Sequence, residues 1–403
     1  MLNPHEFRAF GVNSWGPLIQ FFRSRPRLWA VAGLWCGALL IAFNAYAAAV
    51  TYVPQFLVRN DFRLVYGAAL VGWRDGYSHL YDLAAQQRVV ESLGAYWSPY
   101  LNPPPLAWLG TAFLPLPFGV ATVVWTALIA CAALVAWWLA APGAGLARWA
   151  HLALFMGLFP TAFGLMVGQP VALVAAAAAV AWWLAERKRP VLAGLALSAI
   201  ALKPQLALLV PLCLLVAGQR RMFFGWLGPT VVMVGAAFLL LGADGLHRYF
   251  DALSLASQWE PTRRYAIAGP LGLGPQVSAV EMIVVFLACV ASWRHRGEGA
   301  TMPIAIGLVA SLLFTPYVGF QDFAMLVVAG WLVIRAGATP FQVGLMVVGY
   351  GLLELALVVL AVPILLAEAV FLVSLAARPQ LPASAVLGRP PSAQLPANAQ
   401  NPE

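Results

Sequence analysis

The sequence predicts an all-α protein that crosses a membrane many times. Of its 403 residues, 62% are hydrophobic and only 9% are charged, whereas a soluble domain carries about 25% charged residues. Apolar runs of about 20 residues, the length that a helix needs to span the hydrocarbon core, recur from end to end. Because these runs are continuous and do not alternate, they favour helices over the strands of a membrane barrel.

The charge pattern indicates orientation and not a nucleic-acid partner. Although the net charge is +8, the basic residues stand in short clusters between apolar runs, as they do on the cytoplasmic side of a membrane protein. The clearest clusters lie at 186–189, 219–221 and 294–296. The four cysteines lie inside apolar runs and have neither metal-ligand nor disulfide-framework spacing, so we expect no metal.

The domain organisation follows from these clusters. Residues 1–27 carry several arginines and are predicted to be a cytoplasmic N-terminal segment. Residues 28–376 form the transmembrane domain, with about 10–13 transmembrane or re-entrant helices. The tail, 377–403, is rich in Pro, Ala, Gln and Ser and has too few apolar residues to fold, so we expect it to be disordered in the cytoplasm.

Two polar segments are predicted to lie on the outer side. Residues 52–103 form a large first outer loop, and residues 243–275 form a second. The uncharged run 104–141 holds either two spans, with a break near 115–117, or a short re-entrant piece and one span. The number of crossings between residues 103 and 186 must be odd, so we favour a partial insertion of 104–116. The other spans are predicted at about 28–50, 149–167, 170–185, 222–242, 276–293, 301–317 and 323–335, with two more within 341–376.

Residues 190–217 contain a break in an otherwise apolar run. Basic clusters flank both ends, so we expect a hairpin or a broken pair of helices whose tip, Lys203-Pro204, faces outward. A charge at the bilayer centre costs roughly 2.5–3.5 kcal/mol, so this lysine requires a wet or anion-lined cavity. It is either a snorkelling lysine at a helix end or part of a site for a lipid phosphate.

Asp61 is the leading candidate for chemistry. The residues from Phe62 to Ala69 have the spacing of a short amphipathic helix at the membrane interface. Asp61 is either the N-cap of this helix, a role that Asn60 fills equally well, or a general base that takes a proton from a hydroxyl nucleophile.

Other polar residues have two interpretations each. Gln169, between Gly168 and Pro170, belongs either to a structural turn or to a site that donates hydrogen bonds to phosphate or sugar. Asp82 either caps the helix that follows or lines a site, and Arg63 either binds a lipid phosphate or is a solvated loop residue. Tyr317 and Asp322 are candidates for lining the site.

Several short motifs occur in a fixed order along the chain. They are Asp61-Phe62 with Tyr66, Leu80-Tyr81-Asp82, Asn102–Leu106, Gly168-Gln169, Lys203-Pro204, and Thr315–Tyr317 ahead of Asp322. As an ordered set over about residues 50–330, they resemble glycosyltransferase family 87, the polyprenol-phosphate-mannose-dependent mannosyltransferases of the GT-C fold. The chain departs from the family pattern in two places. Near Gly168-Gln169, family members often carry Asn or Ser where this chain has Pro170. Later in the chain, Tyr317 or Asp322 stands where some members have a histidine in an outer loop.

The resemblance implies a glycosyltransferase of the bacterial inner (cytoplasmic) membrane, with an active site facing the periplasm or exterior. It would transfer a hexose, typically mannose, with inversion, from a polyprenyl phosphate to a lipid or glycan acceptor. The family's catalytic Asp matches Asp61. Its donor-binding residues match Lys203 and Gln169, and we add Arg63 and Tyr66 to that set.

This chemistry agrees with the residues themselves. A polyprenyl phosphate is a good leaving group once cations neutralise it, so the main remaining requirement is a base. The chain has no Walker motif, dinucleotide fingerprint or nucleophile elbow, and we expect no cofactor. The alternatives are a transporter or flippase of lipid-linked or amphipathic cargo, which also needs polar residues inside a bundle, and a scaffold protein of the cell envelope.

Overall fold

The computed structural model describes residues 25–355 and 361–376. The predicted N-terminal segment, 1–27, lies outside the described residues except for its last three positions, and the predicted tail, 377–403, lies wholly outside them. All regular elements of the described residues are helical. The fold class predicted from the sequence, an all-α polytopic membrane protein, is confirmed.

Sixteen helices organise the described chain, together with shorter helical turns. They are α1 (Pro26–Thr51), α2 (Phe62–Arg74), α3 (Leu83–Ser92), α4 (Pro104–Thr111), α5 (Phe118–Ala140), α6 (Leu146–Gly157), α7 (Phe159–Met166), α8 (Val171–Glu186), α9 (Pro190–Leu197), α10 (Val210–Val216), α11 (Arg220–Gln258), α12 (Pro275–Arg294), α13 (Thr301–Phe314), α14 (Ala324–Ala336), α15 (Pro340–Leu355) and α16 (Ala361–Ser374).

Four of the described helices, α1, α5, α11 and α12, are long and apolar enough to cross a membrane. A fifth span is formed if α6 and α7, which are bent by 59° at Leu158, are one broken helix. Five further apolar helices have 10–17 residues. Proline begins α1, α4, α9 and α12 because the first turn of a helix leaves its N–H groups unpaired in any case.

Close helix packing fixes the α6–α7 break. Gly37 of α1 lies so close to α6 that a Cβ atom there would come within 2.4 Å of the Ala153 backbone. The Asn44 amide donates a hydrogen bond of 2.7 Å to the Gly157 carbonyl at the end of α6. In a bilayer the lipid tails are as apolar as the helix surfaces, so the hydrophobic effect does not drive helices together. Close packing at small residues and hydrogen bonds from buried amides hold them together instead.

Two predicted segments differ in detail from the structure. The helix that begins at Phe62 is not a surface helix, because its residues are buried nearly all round where α2 packs against α3 and α4. The segment 243–275, predicted as a second outer loop, is helical as far as Gln258. Gly242, with φ +61°, has a non-helical backbone, so α11 consists of two helical segments joined at a kink there.

The apolar hairpin at 190–217 is a broken pair, as one of the two predicted arrangements requires. After α9, the chain forms two 3₁₀ turns, Ser198–Leu202 and Pro204–Leu206, and then enters α10. Lys203 lies between the two turns, and its backbone angles, φ −154° and ψ 76°, are not helical. The break therefore places its side chain inside the bundle.

Candidate active site

The turn before α2 holds the Asp61 carboxylate. The Asn60 side chain accepts a hydrogen bond of 3.0 Å from the Phe62 N–H and so caps α2. Asp61 occupies the N-cap position, but its side chain makes no capping hydrogen bond within the described chain. Its backbone N–H instead donates to the Val167 carbonyl at 2.7 Å. Asp61 therefore stands at the N-cap position without capping the helix through its side chain, and the Asn60 side chain caps it instead.

The Gly168-Gln169 turn packs directly on this first turn. Gly168 has φ +77°, and a Cβ atom there would lie 2.1 Å from the Asn60 Oδ1, so both its conformation and the space require glycine. Its carbonyl accepts a hydrogen bond of 2.8 Å from the buried Trp125 indole. This packing aims Gln169 at Asp61, whose Oδ2 accepts from the Gln169 Nε2 at 2.6 Å.

Lys203 pairs with Asp322 deeper in the bundle. The Lys203 Nζ lies 2.5 Å from the Asp322 Oδ1, and the two side chains are only 5% and 2% exposed. The Gly319 N–H donates to the Asp322 Oδ2 at 2.9 Å. Because a buried charge is costly unless it is paired and hydrogen-bonded, each residue makes the other tolerable. Asp322 lies inside the bundle because the 3₁₀ turn that contains it, Phe320–Phe323, packs against α7.

These contacts join into one polar line. The Gln169 Oε1 accepts a hydrogen bond of 3.1 Å from the Lys203 Nζ, so Gln169 links the Asp61 carboxylate to the Lys203–Asp322 pair. At the other end, the Arg63 Nη1 lies 2.9 Å from the Asp61 Oδ1. The positive charges of Arg63 and Lys203 therefore balance the negative charges of Asp61 and Asp322. Asp61 is the most exposed of the four, at 31% of its side chain against 9% or less for the others.

Arg63 binds two backbone carbonyl groups as well as the Asp61 carboxylate. Its guanidinium donates to the carbonyl groups of Arg59 at 2.6 Å and Tyr96 at 2.8 Å. It is buried, so the interpretation of Arg63 as a solvated loop residue is wrong. Its five donors in a fixed fork suit this task.

Three of the predicted site residues lie apart from the polar line. The Tyr66 hydroxyl donates to the Leu116 carbonyl at 3.0 Å, and its buried ring packs against Phe118. Asp82 accepts from the Ala85 N–H at 3.0 Å and so caps α3. This hydrogen bond, followed by the charge of Arg248, lowers the pKa of Asp82 below its ordinary value. Tyr317 is half-buried, and burial raises its pKa to about 12, with Tyr249 and Asp322 adding to the shift.

The C-terminal part of α11 contributes residues that sequence reasoning missed. Gly245, Arg248 and Tyr249 share one face of the helix, because they are three and four residues apart. A Cβ atom on Gly245 would lie 2.9 Å from the Ser78 carbonyl oxygen. Arg248 lies 3.3 Å from Asp82. The spacing of these three residues was the available signal, but it lay in a segment predicted to be a loop.

Comparison with known protein families decides the class of chemistry. A model of glycosyltransferase family 87 matches residues 100–316, more than half of the chain. The chain belongs to glycosyltransferase family 87. The matched segment contains Gln169 and Lys203, whereas Asp61, Arg63 and Asp322 lie outside it. No curated protein and no solved structure gives a significant match.

Membership of family 87 and the apolar helices together make this protein a membrane glycosyltransferase. Within the described residues, no group of three or more His, Cys, Asp or Glu side chains is arranged to hold a metal ion. The polar line of this glycosyltransferase offers a partly exposed carboxylate, an amide and a buried ammonium group in series. Such a series provides a proton acceptor at one end and a partner for an anion at the other.

Proposed function

We propose that this glycosyltransferase moves a hexose, with mannose as the first choice, from a polyprenyl phosphate to a hydroxyl group of a lipid or glycan acceptor, with Asp61 as general base. The observation that carries the proposal is the hydrogen-bonded line from Asp61 through Gln169 to Lys203. It joins a carboxylate that solvent can reach to a cation inside an apolar bundle.

The base step uses the free capacity of Asp61. A carboxylate has about four lone-pair positions, and Arg63 and Gln169 each donate to one oxygen of Asp61. The remaining lone pairs can accept the proton of an acceptor hydroxyl as its oxygen attacks the anomeric carbon. A carbon–oxygen bond to the acceptor forms, the bond to the phosphate oxygen breaks on the opposite face, and the sugar inverts.

Lys203 is the proposed partner of the donor phosphate. Its ammonium group has three N–H donors, of which two go to Asp322 and Gln169. The third has no protein partner among the described residues and is free for a phosphate oxygen. Charge gathers on that oxygen as the bond to the sugar breaks, and a fixed cation in a site of low dielectric constant stabilises it. Asp322 balances Lys203 when no donor is bound.

We also propose that the site faces the periplasm or exterior of a bacterial inner membrane. Gln169 lies just before α8, and the basic cluster at 186–189 lies at the other end of that helix. Likewise Asp322 precedes α14, whose last turn carries Arg335. Basic residues favour the cytoplasmic side, so the opposite ends of these helices, with the site, belong on the outer side.

The test is a transfer assay in membranes that contain the full chain. Radiolabelled polyprenyl-phosphate-mannose is supplied together with a lipid and glycan extract of the source cells, and membranes without the chain are the control. We expect the label to appear in a new product only when the chain is present. Label that stays in the donor lipid but changes leaflet would instead indicate a flippase and contradict the proposal.

A further inference from the structure

The outer end of α11 is docked onto the first outer loop along one helix face. Beyond the bend at Gly242, Gly245 lies against the backbone of Ser78, and Arg248 lies within 3.3 Å of Asp82 and 3.4 Å of His79. Tyr249, the next residue of that face, therefore lies against the same loop. This docking is what brings Tyr249 against Tyr81.

Three tyrosines pack together at this junction, and a fourth, Tyr317, lies within electrostatic range of Tyr81 and Tyr249. The ring centroids of Tyr81 and Tyr249 are 4.9 Å apart, and those of Tyr81 and Tyr100 are 6.0 Å apart. The hydroxyl groups of Tyr81 and Tyr100 are both used, since they donate at 2.7 Å to the carbonyls of Asn102 and Pro103. These two rings are buried and form a fixed base for the cluster.

The other two tyrosines are different. Tyr249 and Tyr317 are only half-buried, and within the described chain neither hydroxyl group has a hydrogen-bond partner. Neither hydroxyl oxygen is fully buried, so both hydroxyl groups remain accessible to solvent. Tyr317 stands in the loop between α13 and the Phe320–Phe323 turn, where the Gly319 N–H holds the Asp322 carboxylate.

We infer that Tyr249 and Tyr317 form a subsite for a carbohydrate ring of the acceptor, beside Asp322 and the polar line that ends at Asp61. This inference rests on the proposed function and narrows the acceptor to a sugar-bearing molecule. A pyranose ring has apolar C–H faces and a polar rim of hydroxyl groups. A tyrosine offers the matching surfaces, an aromatic face and a hydroxyl at its edge.

The position of the pair suits an acceptor more than a donor. The proposed donor phosphate partner, Lys203, is nearly closed inside the bundle, whereas Tyr249 lies on the outer end of α11 against the first outer loop. Asp82 and Arg248, each about one-third exposed, border the same junction and supply polar partners for sugar hydroxyls. Because Tyr81 is fixed by its hydrogen bond and packs against Tyr249, the Tyr249 ring is held in place before a sugar arrives, and less entropy is lost on binding.

The experiment measures acceptor and donor use separately, with the full chain in lipid nanodiscs. Radiolabelled polyprenyl-phosphate-mannose is the donor, and octyl α-mannoside, octyl β-glucoside and octyl β-galactoside are the probe acceptors. Tyr249→Ala and Tyr317→Ala are compared with the wild type, with the ring-preserving Tyr249→Phe and Tyr317→Phe, and with Trp73→Ala. Trp73 is a suitable control because it is an aromatic residue of the same outer segment, 70% exposed and outside the cluster.

We expect the two alanine variants to raise the acceptor KM about tenfold, as the loss of one stacked ring predicts, while the donor KM stays unchanged. The phenylalanine variants should show a smaller rise, and Trp73→Ala none. An unchanged acceptor KM in the alanine variants, or a change confined to the donor KM, would overturn the inference.

A binding measurement separates this inference from the proposed function. Saturation-transfer NMR with methyl α-mannoside, methyl β-glucoside and methyl β-galactoside needs no turnover. If the wild type transfers label to a natural acceptor but no glycoside binds or accepts sugar, the subsite is wrong and the proposed function stands. If a glycoside binds in a manner lost in Tyr249→Ala and Tyr317→Ala but no transfer occurs with any acceptor, the proposed function is wrong and the subsite stands.

Discussion

The Gln169 Nε2 lies 2.6 Å from the Asp61 carboxylate, although 108 positions separate the two residues in the chain. The same amide accepts from Lys203 through its oxygen. An amide has donors at one end and an acceptor at the other, so it can join an anion to a cation in one orientation. Gln169 therefore fixes the carboxylate and the ammonium group relative to each other.

We predict that Gln169→Leu lowers kcat/KM for sugar transfer by about tenfold to a hundredfold, because Asp61 and Lys203 lose the amide that fixes them relative to each other, an effect of the size of one charged hydrogen bond, about 1.5–3 kcal/mol. The measurement is steady-state transfer of radiolabel by the purified protein. Gln87→Leu is the matched control, since Gln87 is exposed on α3 and bonds only Glu91 among the described side chains. Equal loss in the two variants would show that Gln169 has no special role.

The Lys203–Asp322 pair predicts a marked stability effect. Asp322→Asn should lower the free energy of unfolding by about 3–5 kcal/mol, because it leaves a buried ammonium group without its counter-charge. The double variant Lys203→Met/Asp322→Leu should recover most of this loss but remain inactive. Thermal unfolding of the detergent-solubilised chain measures both.

The exposed pair of His247 and Asp251 is the control for this cycle. Its atoms are 3.8 Å apart and both side chains are more than two-thirds exposed, so Asp251→Asn should change stability by less than about 1 kcal/mol. If the double variant were no more stable than Asp322→Asn alone, the buried ion pair would not be the cause of the loss.

Gly168→Ala should abolish transfer. Its φ of +77° costs a residue with a side chain about 1–2 kcal/mol, and the new Cβ would also strike Asn60 and so displace Asp61. Gly218→Ala isolates the first effect, because Gly218 has φ +81° and a Cβ there meets no described atom within 4 Å. We expect it to lose stability but keep activity. Similar activity in the two variants would contradict the close packing at Gly168.

Asp82→Ala should destabilise the chain by about 1 kcal/mol through loss of the α3 cap, and this effect should depend on pH. Since the folded structure lowers the pKa of Asp82, its contribution is complete above its ordinary pKa of about 4 and is lost as the pH falls through the lower folded value. The difference in unfolding temperature between wild type and variant should therefore be constant from pH 7 to 5 and shrink in more acid solution. Asp75→Ala, which removes an exposed carboxylate of the same segment, is the matched control.

Part of the candidate site was within reach of the sequence. The apolar runs determine the fold class, because nothing else in a bilayer satisfies the backbone of such segments. Asp61 stood out as an acid shortly after the first span, Gln169 as part of a Gly-Gln turn between two spans, and Lys203 as a charge inside an apolar run. The structure brings all three into one line of contacts.

The rest depended on contacts between distant parts of the chain. Lys203 and Asp322 are 119 positions apart, and nothing local to either residue indicates that each is buried against the other. Arg63 resembled a loop arginine because the burial of α2 comes from α3 and α4, which no local pattern reveals. The helical segment that carries Tyr249 was not predicted, because the predicted span ended at Gly242. A glycine can mark a bend in a helix as well as its end.

The most direct test of the account is the transfer rate of Asp61→Asn, measured with radiolabelled polyprenyl-phosphate-mannose beside Asp75→Asn as the control. The change keeps the shape of the side chain and removes its ability to take a proton. We expect at least a roughly hundredfold loss of kcat, as for removal of a general base, in a variant that still folds and inserts into the membrane, and full activity in the control. Transfer at a near-normal rate by Asp61→Asn would remove Asp61 from the mechanism.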